Sequence, residues 1–478
     1  MSNQKNTRLS RKDFISNAAG ACVGGIFGIS EVASMGKITA HAKASRLRGA
    51  TDTIRIAGIG IGGEAGGSGR GISDVRTAAS LPGVRIAALC DLYAPNLESV
   101  AASFDKDVTI HRDFREVLDR NDIDAVIIGT PDHWHALVAL AALKAGKHVY
   151  CEKPLTLTID EGKKLVGAWK RSGLSFQVGS QLRSDPRYRL AVLLAQSGKL
   201  GEIKTVEAHL PTGPTGGPFN AEPIPADFDF EMWLGPRPQA DYNPRRCFGS
   251  FRYFMDYSGG NLTDFGAHMN DIAQWGLGFD RSGPIEVEGE ILKPPFEDYS
   301  EYQKAWADSR IWGKKTLLPD DHNNWYDTVP IFRVTYSYEN GVTLVTTNDL
   351  NDYGITFKGS AGWVSVSLNS INASDEGLLH EPITVRDREM KVPLDYKGNF
   401  ISQDDANHML NFLDSIRTGS KTECDAEIGH RSATVCHLGN ISMLLGRKLH
   451  WNPKKEEFVN DPEANTFLRR PMRKPWTL

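Results

Sequence analysis

From Thr53 onward, short unbroken apolar runs alternate with stretches whose apolar residues recur every three or four positions. The runs fall at 54–57, 84–89, 125–128, 149–151 and 176–178, and helical spacing is plainest at 136–144 and 160–171. Apolar strands separated by helices predict a parallel sheet covered on both faces, the doubly wound α/β arrangement, over 50–180. Past residue 180 the texture changes to Pro/Gly-rich loops and then to short runs at 331–338, 342–347, 354–357 and 363–367. Asn340-Gly341 between the first two is a hairpin signal in which both turn positions tolerate positive φ. Helical spacing returns at 406–418 and 428–445. A second, α+β unit is therefore expected over 181–455, with a large open, mainly antiparallel sheet and closing helices, and a tail at 456–478.

A length of 478 residues fits two hydrophobic cores better than one. The net charge of -4, with 24% charged residues, offers no basic stripe for nucleic acid. After residue 50 there is no apolar run of 18 residues, so no membrane span is expected in the mature chain. The six cysteines, Cys22, Cys90, Cys151, Cys247, Cys424 and Cys436, are scattered without C-x-x-C or metal-ligand spacing, so neither disulfides nor a metal is implied.

Residues 1–45 differ in character. Lys5, Arg8, Arg11 and Lys12 precede a small-residue apolar stretch at 18–29 and then Ala40-His41-Ala42, the order of an export signal. Ser10-Arg11-Lys12-Asp13-Phe14-Ile15 is similar to a twin-arginine leader, with Lys12 where the second arginine stands. The expected location is the periplasm, or the cytoplasm if the leader is inactive. Cys22 after Ala19-Gly20-Ala21 is a weaker lipid-anchor alternative, since no leucine stands at residue 19.

Candidate chemistry begins where the first strand runs into Gly58-x-Gly60-x-x-Gly63, the spacing that turns tightly, lets backbone approach a pyrophosphate and packs helix on strand. Asp91 ends the second strand, where a carboxylate accepts from adenosine ribose hydroxyls and repels a 2′-phosphate; NAD is favoured over NADP. The acid stands further downstream than the usual ~20 residues. The glycine run to Gly71 lengthens the loop and predicts a helix start near Arg70. Thr130-Pro131-Asp132-His133-Trp134-His135 ends another strand and opens a helix, at the edge where open α/β sheets hold ligands. Thr130, Pro131, His133 and His135 are thus cofactor candidates, and the histidine pair lacks a third ligand for a metal. Cys151-Glu152-Lys153-Pro154 sets a lysine just beyond a further strand, able to move a proton while a nicotinamide moves a hydride.

These motifs, with Gly259-Gly260-Asn261-Leu262-Thr263-Asp264-Phe265-Gly266-Ala267-His268, resemble the Gfo/Idh/MocA oxidoreductases, the family of glucose-fructose oxidoreductase and inositol dehydrogenase. The resemblance spans the chain after residue 50. Val178-Gly179-Ser180-Gln181-Leu182-Arg183 and Trp233-Leu234-Gly235-Pro236 look like its exported branch. It implies catalytic roles for Lys153, Asp264 and His268, and cofactor contacts that include Glu152 and Gln181. A carbohydrate substrate is implied too, with homo-oligomerisation. Asp264 and His268 are four apart and share a face if helical, so both can reach one hydroxyl. Arg183, Trp233, Arg252 and Tyr257 are candidate substrate contacts, since forked donors and aromatic faces suit a polyhydroxylated ring. Export as a folded protein implies a tightly held NAD, because the periplasm offers no obvious free pool. The leading expectation is oxidation of a sugar or glycoside CH-OH, to a 3-keto product in the exported branch. The alternatives are a redox-neutral NAD-dependent glycosidase or lyase and a non-catalytic sugar-binding relative.

Overall fold

The computed structural model describes residues 53–62, 69–314, 324–350, 352–380 and 401–478, without the side chains of 401–404. The leader, Cys22, Gly63 and the polar stretch at 320–322 lie outside the described residues. The first half alternates strand and helix: β1 (Ile54–Ile59), α1 (Arg70–Ala79), β2 (Val84–Cys90), α2 (Ala94–Ala101), β3 (Thr109–His111), α3 (Phe114–Leu118), β4 (Ala125–Ile128), α4 (Asp132–Lys144), β5 (His148–Cys151), α5 (Ile159–Ser172) and β6 (Phe176–Val178). Its six strands are all parallel, in the order β3-β2-β1-β4-β5-β6. That order reverses between β1 and β4, which opens a crevice at their carboxyl ends. Every residue of β4 and β5 is buried, as strands covered on both faces require. A capping box starts α5, with Thr158 accepting from the Glu161 N–H, and Gly173 in the left-handed conformation ends it.

The second half contains α6 (Pro186–Ser197), β7 (Ile203–His209), α7 (Phe230–Leu234), α8 (Phe265–Leu277), β8 (Glu286–Lys293), α9 (Tyr299–Arg310), β9 (Ile331–Ser337), β10 (Thr343–Thr347), β11 (Gly354–Gly359), β12 (Trp363–Ser367) and β13 (Ile371–Ala373). The chain ends with α10 (Ile401–Thr418), α11 (Ala426–Leu445), β14 (Leu449–Asn452), β15 (Glu457–Phe458) and α12 (Pro462–Thr466). Nine strands form the sheet β13-β12-β11-β7-β10-β9-β8-β14-β15, antiparallel except where β7 meets β10. Phe332, Val334 and Tyr336 of β9 alternate inward, into a core shared with Met269, Ile272 and Ala273 of α8 and Val435 and Leu438 of α11. The alternation turns Arg333, Thr335 and Ser337 to the other face.

Two details differ from the sequence reading. At the β9–β10 hairpin only Gly341 takes positive φ, 81°, and Tyr338 and Val342 close a three-residue loop. The loop is thus longer than the two-residue Asn-Gly turn expected. In addition, Met409, Phe412 and Leu413 of α10 pack with Ile72, Val75 and Tyr150, so a late helix completes the core of the first sheet.

Candidate active site

Close backbone approach shapes the crevice first. Gly60 has φ 73°, and a Cβ there would stand 2.5 Å from the Thr130 nitrogen. On Gly71 it would stand 2.1 Å from the Gly60 oxygen, so α1 sits directly against the loop. Gly71, a residue the glycine run itself contained, thus makes a tight strand-to-helix contact, and Gly63 lies outside the described residues.

Asp91 holds this loop: one carboxylate oxygen accepts from the Gly62 N–H at 2.9 Å and the other from the Tyr93 N–H at 3.0 Å. Burial pushes its carboxyl up despite these bonds. Thr130 Oγ1 is buried with no hydrogen-bond partner among the described residues. The glycine cradle, an acid at the end of β2 and an unsatisfied hydroxyl fit a dinucleotide. Pro131 lines the same cleft. The His135 ring spans the Thr130 and Pro154 carbonyls, each at 2.8 Å, and so ties the β4 and β5 loops together.

Beyond β5, Glu152 is buried and accepts from Gln181 Nε2 at 2.7 Å, while Arg70 Nε stands 3.3 Å away. Gln181 also donates to the Tyr150 hydroxyl at 2.8 Å. Lys153 Nζ donates to Asp264 twice, to the carboxylate at 2.5 Å and to the carbonyl at 3.1 Å. Arg252 Nε stands 3.2 Å from the same carboxylate. Burial alone would raise the Asp264 carboxyl, but Lys153 and Arg252 outweigh it and hold it well below the usual carboxylate range. Asp264 immediately precedes α8, and His268 lies in that helix's first turn. Burial, with the Lys153 charge adding, pushes His268 down to about 3, so its imidazole is neutral at pH 7. Its Nδ1 is buried without a hydrogen-bond partner among the described residues.

A cleft of about 1200 Å³ of open space runs from Asp91 and Tyr93 past Gly60 and Thr130 to Lys153. Its far wall comes from the segment 228–252, which includes Trp233 and Arg252. Gln181, Asp264 and His268 do not line this cleft themselves, and three further expected contacts are held by buried partners of their own. Arg183 is fully buried, paired with Asp271 at 2.6 Å and Asp280 at 2.7 Å over the Trp275 ring, and does not line the cleft. Tyr257 is buried behind Trp233, edge-on at 4.8 Å, with its hydroxyl 3.3 Å from Arg246. His133 turns away from the cleft and donates through Nε2 to the Trp233 carbonyl at 2.9 Å, beside the Trp134 indole N–H at 3.0 Å. A guanidinium or imidazole next to a motif serves a buried partner as readily as a ligand, and these partners are far away in sequence. Arg70 was not singled out as a contact; it lines the cleft and also pairs with Asp74 at 2.6 Å and Asp405 at 2.9 Å. Its place directly after the glycine run was the available signal. Among the described residues no cluster of His, Cys, Asp or Glu is arranged to hold a metal.

Burial pushes His133 down to about 3. Between its ordinary value of 6.5 and about 3 the unfolded chain binds a proton that the folded chain refuses, so stability falls as pH drops through that window. The His133→Gln variant, which keeps an N–H for the Trp233 carbonyl, should therefore lose about 2 kcal/mol less than the parent between pH 7 and pH 5. Urea denaturation at the two pH values measures this. Equal losses would show that His133 does not stay neutral.

Family models match both halves of the chain: residues 54–180 match the oxidoreductase family, NAD-binding Rossmann fold, and 215–305 with 389–478 match that family's C-terminal alpha/beta domain. The chain belongs to the Gfo/Idh/MocA oxidoreductase family. Among curated relatives it is 22% identical to the uncharacterized oxidoreductase YrbE of Bacillus subtilis over 382 residues, 80% of this chain and 93% of the relative. It is 30% identical to a glycosyl hydrolase family 109 protein of a Shewanella species over 165 residues, 33% of this chain and only 35% of that protein. Among solved structures it is similar to levoglucosan dehydrogenase in complex with NADH and levoglucosan, with TM-score 0.59 and 17% identity over 84% of this chain and 99% of the other. The protein is an enzyme, an oxidoreductase with an NAD-binding domain.

Proposed function

We propose that this enzyme oxidises a CH-OH group of a sugar or glycoside, passing the hydride to an NAD held at the β1–β4 crevice. The observation that carries the reading is the Lys153–Asp264 pair, which joins the carboxyl edge of the parallel sheet to the first residues before α8. Bound there, NAD would supply the hydride acceptor. Gly60, Asp91 and Thr130 are the residues that would hold it.

The chain's own groups handle the proton. As the C–H hydride departs, the hydroxyl proton must leave, and His268, whose imidazole is neutral at pH 7, is the acceptor this reading assigns to it. The same burial keeps the proton from staying on His268 near pH 7. Lys153, fixed by Asp264, donates to the substrate oxygen while its charge develops. Arg252 steadies Asp264 and faces the cleft. The likeness to levoglucosan dehydrogenase supports a carbohydrate in this place.

The leader-like N-terminus supports a periplasmic location reached by folded export, with the NAD retained through turnover. The glycosyl hydrolase likeness favours a second reading, in which transient oxidation acidifies a neighbouring C–H, elimination cleaves the glycosidic bond and the hydride returns. A panel of sugars, inositols and glycosides decides between them. Keto sugar formed with stoichiometric NADH supports the dehydrogenase, and glycosidic cleavage without net NADH supports the second reading. If no panel member reacts with NAD-loaded protein, both readings are overturned.

A further inference from the structure

The floor of the cleft is the carboxyl edge of the first sheet, whereas its roof is the later segment 228–252. Two backbone hydrogen bonds fasten that roof to the loop after β2: the Ala94 N–H donates to the Asp227 carbonyl and the Asp229 N–H to the Leu92 carbonyl, both at 3.1 Å. They make an isolated antiparallel bridge between Tyr93 and Phe228. Tyr93 is two residues from Asp91, so the fastening lies at the end of the cleft that would hold the adenosine ribose.

The Phe248 ring stacks on Phe228, with centroids 6.1 Å apart and planes 22° apart, and meets Tyr93 edge-on at 5.9 Å. Phe248 also has φ 49°, a backbone conformation that a phenylalanine rarely adopts. Phe228 and Phe248 both line the cleft. A second fastening at the opposite side sets the Trp233 carbonyl on His133 and Trp134, at the start of α4. The roof is thus tied to the loop after β2 and to the first turn of α4, on the two sides of the crevice.

The geometry points to Phe228 and Phe248 as a fixed aromatic roof over the adenosine end of the cleft, setting how fast a bound nucleotide leaves. This rests on the NAD reading proposed above. With the roof bonded on both sides, release requires the Tyr93–Phe228 bridge to open, and the Phe248 ring is the part of that closure most directly removable. The left-handed backbone at Phe248 is one that glycine adopts freely, so Phe248→Gly removes the ring without straining the chain.

The full-length protein is loaded with NADH, freed of excess by gel filtration and chased with NAD, while loss of bound-nucleotide fluorescence is followed in the parent and in Phe248→Gly. The variant should release NADH at least tenfold faster. Its melting temperature without nucleotide should fall, because the packing of the ring on Phe228 and Tyr93 is lost, while the chain stays folded at the assay temperature. Hydrogen exchange gives a second readout, since the Ala94 and Asp229 amides should gain protection when NADH binds. Release at the parental rate from a variant that still binds NADH overturns the roof while leaving the NAD reading intact. A parent protein that binds neither NAD nor NADH overturns both.

Discussion

Replacing Lys153 by alanine should lower kcat/KM for the carbohydrate about 10³-fold while the protein still folds and binds NADH. The magnitude is that of a positioned proton-transfer group, roughly 10² to 10⁴ in rate. The fold should persist because Asp264 retains Arg252 at 3.2 Å. Cofactor binding should persist because the loop contacts run through Gly62, Asp91 and Tyr93, away from the lysine. The alanine variant also leaves a gap at the end of the cleft, so a small primary alkylamine should restore part of the lost rate. Steady-state kinetics with and without the amine check this. A Lys153→Ala enzyme with unchanged turnover removes the lysine from the chemistry.

The second large effect concerns a residue that sequence reasoning set beside the substrate. Arg183→Leu should destabilise the protein by about 3–5 kcal/mol, because removing one partner of a buried ion pair leaves the other charge uncompensated. Two carboxylates depend on this guanidinium: Asp271, which also accepts from the Ser432 hydroxyl at 2.6 Å, and Asp280. Urea denaturation reads the loss. In the folded fraction KM should be unchanged, since Arg183 does not line the cleft. A raised KM with parental stability would instead return Arg183 to the substrate site.

The contrast shows what the sequence could and could not carry. Strands such as β4, apolar at every position, were legible because a strand buried on both faces has no polar side to disguise it. The spacing of Asp264 and His268, one helical turn apart, was legible as well, and Asp264 accepts from Lys153 Nζ at 2.5 Å. β7 was not, although it is a central strand between β11 and β10. Only Val206 and Ala208 of β7 are fully buried, and its remaining residues are polar or half-exposed. Its place depends on pairings with residues more than a hundred positions away. The roof was hidden for a related reason. Phe228 and Phe248 sit in a Pro/Gly-rich stretch without periodicity, and their packing comes from an aromatic cluster of that segment and from the bridge to Tyr93. Arg183 shows the limit of residue type as a guide: a forked cation satisfies a buried carboxylate pair as well as a sugar, and burial decides between them.

The most direct test of the account follows the hydride itself. Purified protein is loaded with NAD and given a reacting carbohydrate that carries deuterium on the carbon to be oxidised, and the nucleotide released by denaturation is then weighed by mass spectrometry. The account predicts NADH heavier by one deuterium, formed together with the keto carbohydrate. Keto product accompanied by unlabelled NADH, or by no NADH at all, would contradict direct hydride transfer in this cleft.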